Sequence, residues 1–298
     1  MKIFDCFMFY DEELLLDIRL NILDKYIDFF VIVESEYFHN GKKRQLKFDI
    51  NKFKNFKKKI IYIVHKNEPS GIIRINDKDD EDTKSYKLIT NAHLRENDQR
   101  NHISRGLTEA DNNDLILISD VDEIPNFNSI DLSRVKNQIV MFEQEIFYYK
   151  FNRYLANFKW FGTKACKKKK LISPQWLRNI KNKKYPIWRV DTFFSQNRYI
   201  NKLFIPNGGW HFSNIKNGDD LELKLKSYLH HRDYEAEELG KNKINELIKN
   251  NETIYDMFGD KKSKKYGDDK RKKLEKYELE KLPQFIQDNK NKLKEWID

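Results

Sequence analysis

Short apolar runs alternate with amphipathic stretches over the first 120 positions of the chain. Ile3 to Phe9 is almost continuously apolar, as in a buried strand. Leu14, Leu15, Ile18, Ile22 and Tyr26 then recur at helical spacing, with Asp11 placed to cap them. Phe29-Phe30-Val31-Ile32-Val33, ending at Glu34, predicts a second strand, and Ile60-Ile61-Tyr62-Ile63-Val64 a third. A helix is expected over Tyr86 to Leu107, and Asp114-Leu115-Ile116-Leu117-Ile118 forms a fourth strand. This alternation predicts an α/β domain with a mixed, mainly parallel sheet flanked by helices. Ligands of such sheets collect at the carboxyl ends of the strands. Ser119-Asp120-Val121-Asp122-Glu123 falls at that end of the fourth strand.

The second half is less regular. Ile139 to Phe142 and Ile146 to Lys150 are strand-like, and Phe151 to Tyr199 is aromatic, basic and broken by Pro174 and Pro186. That stretch suits an acceptor-binding surface or a meander of short strands. Leu203 to Pro206 reads as a strand, Asn207-Gly208-Gly209 as a turn, and the pattern becomes helical from Leu221. The division expected is a main domain over 1–235 and a Lys-rich helical extension over 236–298.

Composition narrows the classes. Hydrophobic residues make up 39% and aromatics 14%, enough for a core, so global disorder is excluded. No run approaches the roughly 20 apolar residues of a membrane span. Asp5 interrupts the first apolar run, which therefore reads as a strand and not as a signal peptide. Cys6 and Cys166 are far apart and form no metal-ligand pattern, which points to a reducing, cytoplasmic setting. The net charge of +10 raises nucleic acid or an anionic membrane as partners. Abundant Lys, Asn, Ile, Phe and Tyr give a compositional cause for that charge, and Asp79-Asp80-Glu81-Asp82 interrupts it. No nucleic acid partner is expected. A basic binding module for nucleic acid or a membrane surface stands as the alternative to an enzyme, and the C-terminal lysines as a possible peripheral membrane contact.

Two carboxylates flanking one residue at a strand end can reach a single hard cation, and manganese or magnesium favours such oxygen ligands. A diphosphate bridged by that cation becomes a better leaving group, which is the chemistry a nucleotide-sugar requires. A haloacid-dehalogenase-type phosphatase also uses Asp-x-Asp, but after its first strand and with Thr or Val where this chain has Ile124.

Ile118-Ser119-Asp120-Val121-Asp122-Glu123-Ile124-Pro125 resembles the Asp-x-Asp-Glu-Ile-Pro signature of glycosyltransferase family 17. Lys2 to Phe7 with Asp11-Glu12 and Ile18-Arg19-Leu20, Phe30 to Glu34 with Gly41-Lys42, Gly209-Trp210-His211-Phe212-Ser213, and Lys224 to Ser227 with His230 resemble further segments of that family in order. The resemblance covers roughly 1–235. It implies a GT-A, Rossmann-like fold, UDP-GlcNAc or a related donor, a divalent metal (Mn2+ or Mg2+) and inversion at the anomeric carbon; the family's N-glycan acceptor does not carry over, and a glycan or lipid-linked glycan is the acceptor expected.

Asp122 is then the expected metal ligand, with Asp120 on the donor ribose or on the metal through water. A late His commonly completes the metal site of GT-A folds, which assigns His211 to that role. An inverting transfer needs a general base. Asp191 is expected there, with Glu143 and Glu145 as competitors, while Asp219 and Asp220 suit a helix start. Arg95 and Gln99 share a helix face, and with Arg100 they are candidates for donor binding. A solvated face explains them equally. Glu34 is placed to meet the nucleoside. Trp160, Phe161, Trp176 and Trp188 are candidates for stacking on sugars or for core packing.

Overall fold

The computed structural model describes residues 1–186, 188–192, 194–227, 239–254 and 271–298; His230 lies outside the described residues. Strand β1 (Ile3–Phe9) runs parallel to β2 (Phe29–Ser35) on one side and β4 (Leu115–Asp120) on the other, and β3 (Ile60–His65) extends the sheet beside β2. Both faces of β1 are covered. Phe7 and Phe9 meet Leu15, Leu16 and Leu20 of helix α1 (Glu13–Leu23), whereas Phe4 and Cys6 meet Ile103 and Leu107. Those two residues lie on the 3₁₀ turn that follows α2 (Glu81–Asn101).

Helix α2 starts earlier than expected because the Asp80 side chain accepts from the Thr83 amide. Asp11 does not cap α1. Its carboxylate pairs with Lys216 at 2.8 Å, and the cap position falls on Glu12 without a side-chain capping bond.

The remaining strands are β5 (Glu123–Pro125), β6 (Ile139–Tyr148), β7 (Arg153–Trp160), β8 (Lys164–Lys167), β9 (Lys202–Ser213) and β10 (Glu275–Lys276). Along the sheet the order is β10-β7-β6-β8-β4-β1-β2-β3, with β9 parallel to β6 and β5 antiparallel to β9. The result is a mixed, largely parallel α/β sheet of the expected class.

Three local expectations are corrected. The two runs at 139–150 form one strand, because register shifts absorb the polar Glu143-Gln144-Glu145 interruption. The proposed turn at 207–209 lies inside β9, where Asn207 (φ 49°) and Gly209 (φ 137°) take up the irregularity. Finally, Pro174 opens α3 (Pro174–Asn179) rather than breaking structure. It occupies the first turn, where its missing N–H costs nothing, behind a Ser173 cap that accepts from the Trp176 amide.

Helices α4 (Gly218–Ser227) and α5 (Gly240–Asn250) pack through Leu221, Leu225 and Ile244 against Ile146 and Tyr148. Farther on, β10 pairs with β7 and is followed by helix α6 (Gln284–Asp288). Leu282, Ile286 and Leu293 join the core around α1. Asp298 and Asn152 exchange hydrogen bonds of 2.8 and 3.0 Å. The described residues beyond 236 therefore seat on the same sheet, through apolar positions that a high lysine content masks in the sequence. No helix among the described residues is long and apolar enough to cross a membrane.

Candidate active site

The chain leaves β4 through Asp120-Val121-Asp122 and turns directly into β5, and a buried cation holds that turn from beneath. Arg19 of α1 is fully buried. Its Nε and Nη2 donate to Asp5 on β1 at 2.8 and 2.6 Å. Its Nη1 donates to the carbonyls of Asp120, Val121 and Glu123 at 3.1, 3.2 and 2.7 Å. One guanidinium thus gathers three carbonyls of the turn, joined at Glu123 by the Thr163 hydroxyl at 3.0 Å, at the cost of desolvation offset by Asp5.

Glu123 completes the support. Its buried carboxylate accepts from the Asp120 amide (2.9 Å), from the Trp160 indole (2.5 Å) and from both terminal nitrogens of Arg178 (2.8 Å each). Only glycine fits at position 162, since an added Cβ would stand 1.9 Å from Glu123 Oε1.

Above this frame the two motif aspartates have different surroundings. Asp120 accepts from Arg100 of α2 at 3.1 Å and from Arg178 of α3 at 2.6 Å. Burial alone would raise its carboxyl, but the two guanidinium charges outweigh that and hold it well below the usual carboxylate range. Asp122 faces a histidine instead. Pairing of β5 with β9 sets Glu123 opposite His211, and His211 Nε2 comes to 3.6 Å from Asp122 Oδ2. Burial again opposes ionisation of Asp122, and His211 with Lys224 lowers its carboxyl overall. His211 packs its ring on Trp160, with centroids 5.0 Å apart. Its Nδ1 is buried without a hydrogen-bond partner.

A carboxylate oxygen and the imidazole Nε2 held 3.6 Å apart, beyond a hydrogen bond, are a donor set suited to a divalent cation. The residues therefore fit a metal at Asp122 and His211. Both oxygens of Asp120 are engaged by arginines, which suits an indirect role.

The rim is charged as well. Glu12, at the cap position of α1, has a carboxyl raised by burial, with Lys224 and Lys216 lowering it and Asp11 and Asp122 raising it. Asp11, Lys216, Lys224 and Asp122 therefore surround Glu12. A groove of about 610 Å³ between α1 and the C-terminal segment, lined by Asp17, Lys52 and Phe285 among others, holds none of these groups.

The other expected site residues divide. Arg95 and Gln99 do share a face, and both meet His39. Arg95 donates to its carbonyl at 3.2 Å, and Gln99 Oε1 lies 3.2 Å from its Nε2. They brace the loop after β2 rather than opening toward a ligand, whereas Arg100, one residue on, reaches Asp120. Glu34 is a correction. Its buried carboxylate accepts from Arg44, the Lys47 and Phe48 amides and the Tyr62 hydroxyl, so it anchors the loop and has no acceptor left for a nucleoside.

Among the candidate bases, Asp191 lies on an exposed turn and is paired with Arg189 and Arg198. Glu145 is paired with Lys159. Glu143, half-buried on β6, meets no cation among the described residues. Asp219 and Asp220 lie in the first turn of α4, where the Asn217 side chain accepts from the Asp220 amide as the cap. Trp176 donates its indole to the Gln196 carbonyl, and Trp188 is largely exposed.

Sequence reasoning assigned no role to Arg19, Glu123 or Arg178. Glu123 stood inside the recognised motif and could have been read as its internal acceptor. Arg178 carries no local signal, since α3 reaches β4 only in the folded chain.

The model of glycosyltransferase family 17 matches residues 1–296, well past the 235 positions over which resemblance was visible. No curated protein matches the chain.

Proposed function

The chain belongs to glycosyltransferase family 17, and from that premise we propose that it transfers GlcNAc from UDP-GlcNAc to a glycan or lipid-linked glycan hydroxyl, with inversion. Glycosyl transfer itself, from a nucleotide-sugar to a glycan acceptor, follows from the family. The observation that carries the finer reading is the Asp122–His211 pair at the carboxyl end of β4, with Nε2 3.6 Å from the carboxylate.

A manganese or magnesium ion held by Asp122 and His211 would offset charge on the departing diphosphate. Arg100 and Arg178, which hold Asp120 in the free protein, have guanidinium groups matched to phosphate oxygens. Lys224 adds positive charge beside Asp122. The Arg19–Asp5 pair and Glu123 keep the turn rigid, so these charges need no reorganisation as the bond breaks.

A base takes the acceptor hydroxyl's proton, the freed oxygen attacks the anomeric carbon, and the bond to the diphosphate breaks on the opposite face. Glu143 is our choice for that base, because Asp191 and Glu145 are each neutralised by a neighbouring cation. A cytoplasmic enzyme touching a membrane through its C-terminal lysines completes the reading. Replacing the exposed Lys290, Lys292 and Lys294 by Glu tests that contact without removing the core residues Ile286 and Leu293. Unchanged binding to anionic vesicles would dismiss it.

The deciding experiment is calorimetric titration of UDP-GlcNAc with manganese, with excess EDTA, and into Asp122→Ala. Saturable binding that needs both metal and Asp122 is expected. Binding that survives EDTA, or absence of binding by folded protein, would overturn the metal or the donor assignment respectively.

A further inference from the structure

A second cluster of metal-ligating side chains lies on the far side of α2 from Arg100 and takes no part in the site above. His65 ends β3, Asp98 lies on α2, and His102 opens the 3₁₀ turn that follows. One ligand atom from each residue falls within 4.8 Å of the others. Asp98 Oδ2 is 2.7 Å from His65 Nε2 and 3.9 Å from His102 Nδ1, and Nδ1 also lies 2.9 Å from the Asp98 carbonyl oxygen, a contact that a bound ion would replace. Two ligands each about 2.0–2.1 Å from a tetrahedral ion stand roughly 3.4 Å apart, and the two observed separations bracket that value.

We propose that His65, Asp98 and His102 form a second divalent-cation site, of the zinc class, that clips β3 to α2. The Asp98 and His102 pair is spaced i, i+4, so the helix itself brings the two ligands to one side. His65 Nδ1 meets Ser35 Oγ at 3.1 Å, which leaves Nε2 as the coordinating atom and orients the ring. The His102 ring stands edge-on to His65, with centroids 4.2 Å apart. His65 is buried, but the Asp98 and His102 side chains are 36% and 18% exposed, which gives the ion an entry path and an open position.

The donor chemistry differs from that around Asp122. Two imidazoles and one carboxylate favour zinc over magnesium or manganese. The next residues of α2, Gln99 and Arg100, contact Val33 and Asp120, so a clip here fixes the helix that delivers Arg100.

The test uses full-length protein stripped with EDTA, then given zinc in excess magnesium, gel-filtered and assayed for bound zinc and melting temperature. One equivalent of zinc and a raised melting temperature are expected in the wild type and in Asp122→Ala. His102→Ala should lower zinc affinity by about 100-fold or more and abolish the thermal shift. Asp98→Asn, at a partly exposed position, serves the same purpose if His102→Ala does not fold. No retained zinc in the wild type overturns the proposal. So does zinc that is lost with Asp122→Ala but kept by the folded ligand variants, since it then belongs to the donor site.

Discussion

The turn after β4 and the loop around Asp191 both present ionised aspartates flanked by arginines, yet they are built differently. At the turn, Asp120 is held by arginines from two helices that are themselves 2% and 15% exposed on their side chains. A fully buried Arg19 and Glu123 fix the backbone beneath it. In the loop, Asp191, Arg189 and Arg198 are each 40% or more exposed, and no two are more than nine positions apart in the chain. Identical charge chemistry therefore produces a rigid electrostatic frame in one place and a solvated pair in the other. What separates them is burial and the sequence distance bridged, since exposed local pairs contribute little and are screened.

The largest effect that would break this contrast is catalytic. Asp122→Ala should lower donor turnover, read as UDP released from UDP-GlcNAc, by roughly 10³-fold at unchanged melting temperature. Asp191→Asn should leave it near the wild-type value.

Next comes stability. Arg19→Met strands Asp5 in the core and should cost about 3–5 kcal/mol in urea unfolding. Arg198→Met should leave the urea midpoint unmoved. An equal loss from both would erase the distinction drawn here.

The base assignment sharpens the contrast further. Glu143→Gln should reduce kcat by about 10²-fold with little change in donor affinity. If Asp191→Asn produces that loss instead, the loop closes onto the acceptor during turnover.

The smallest effect is in acid. Arg178 and Arg100 outweigh burial at Asp120, and hydrogen bonding to Arg189 leads the causes at Asp191, so both carboxyls sit below the usual range. A depressed folded-state pKa contributes stability above the unfolded value of about 3.9, and that contribution is lost as pH falls below it through the folded value. In carboxyl NMR titrations, added salt should move the Asp191 midpoint up toward 3.9 and leave Asp120 nearly unchanged.

Much of the fold could be read directly. Strands β1, β2 and β4 are predominantly apolar, with Asp5 breaking the run in β1, because both their faces are covered, and that pattern needs no knowledge of neighbours. The polar Glu143-Gln144-Glu145 and the Asn207-Gly208-Gly209 segment misled, because register shifts carry such residues inside long strands and leave no periodic signature. The motif aspartates were legible since they follow a buried strand directly. Glu34 was misjudged for the same reason: a carboxylate at a strand end can meet a ligand or its own loop, and only the positions of Arg44 and Tyr62 decide which.

The amino-acid sequence by itself therefore determined the α/β class, the placement of Asp120 and Asp122 at a strand end, and family membership, all of which rest on contiguous residues. The tertiary structure alone decided that Arg19 clamps the turn from 101 positions away, that Arg178 faces Asp120, and that His211 meets Asp122. Buried charges must find their counterions wherever the chain brings them, and that choice is made by packing, not by neighbours in sequence.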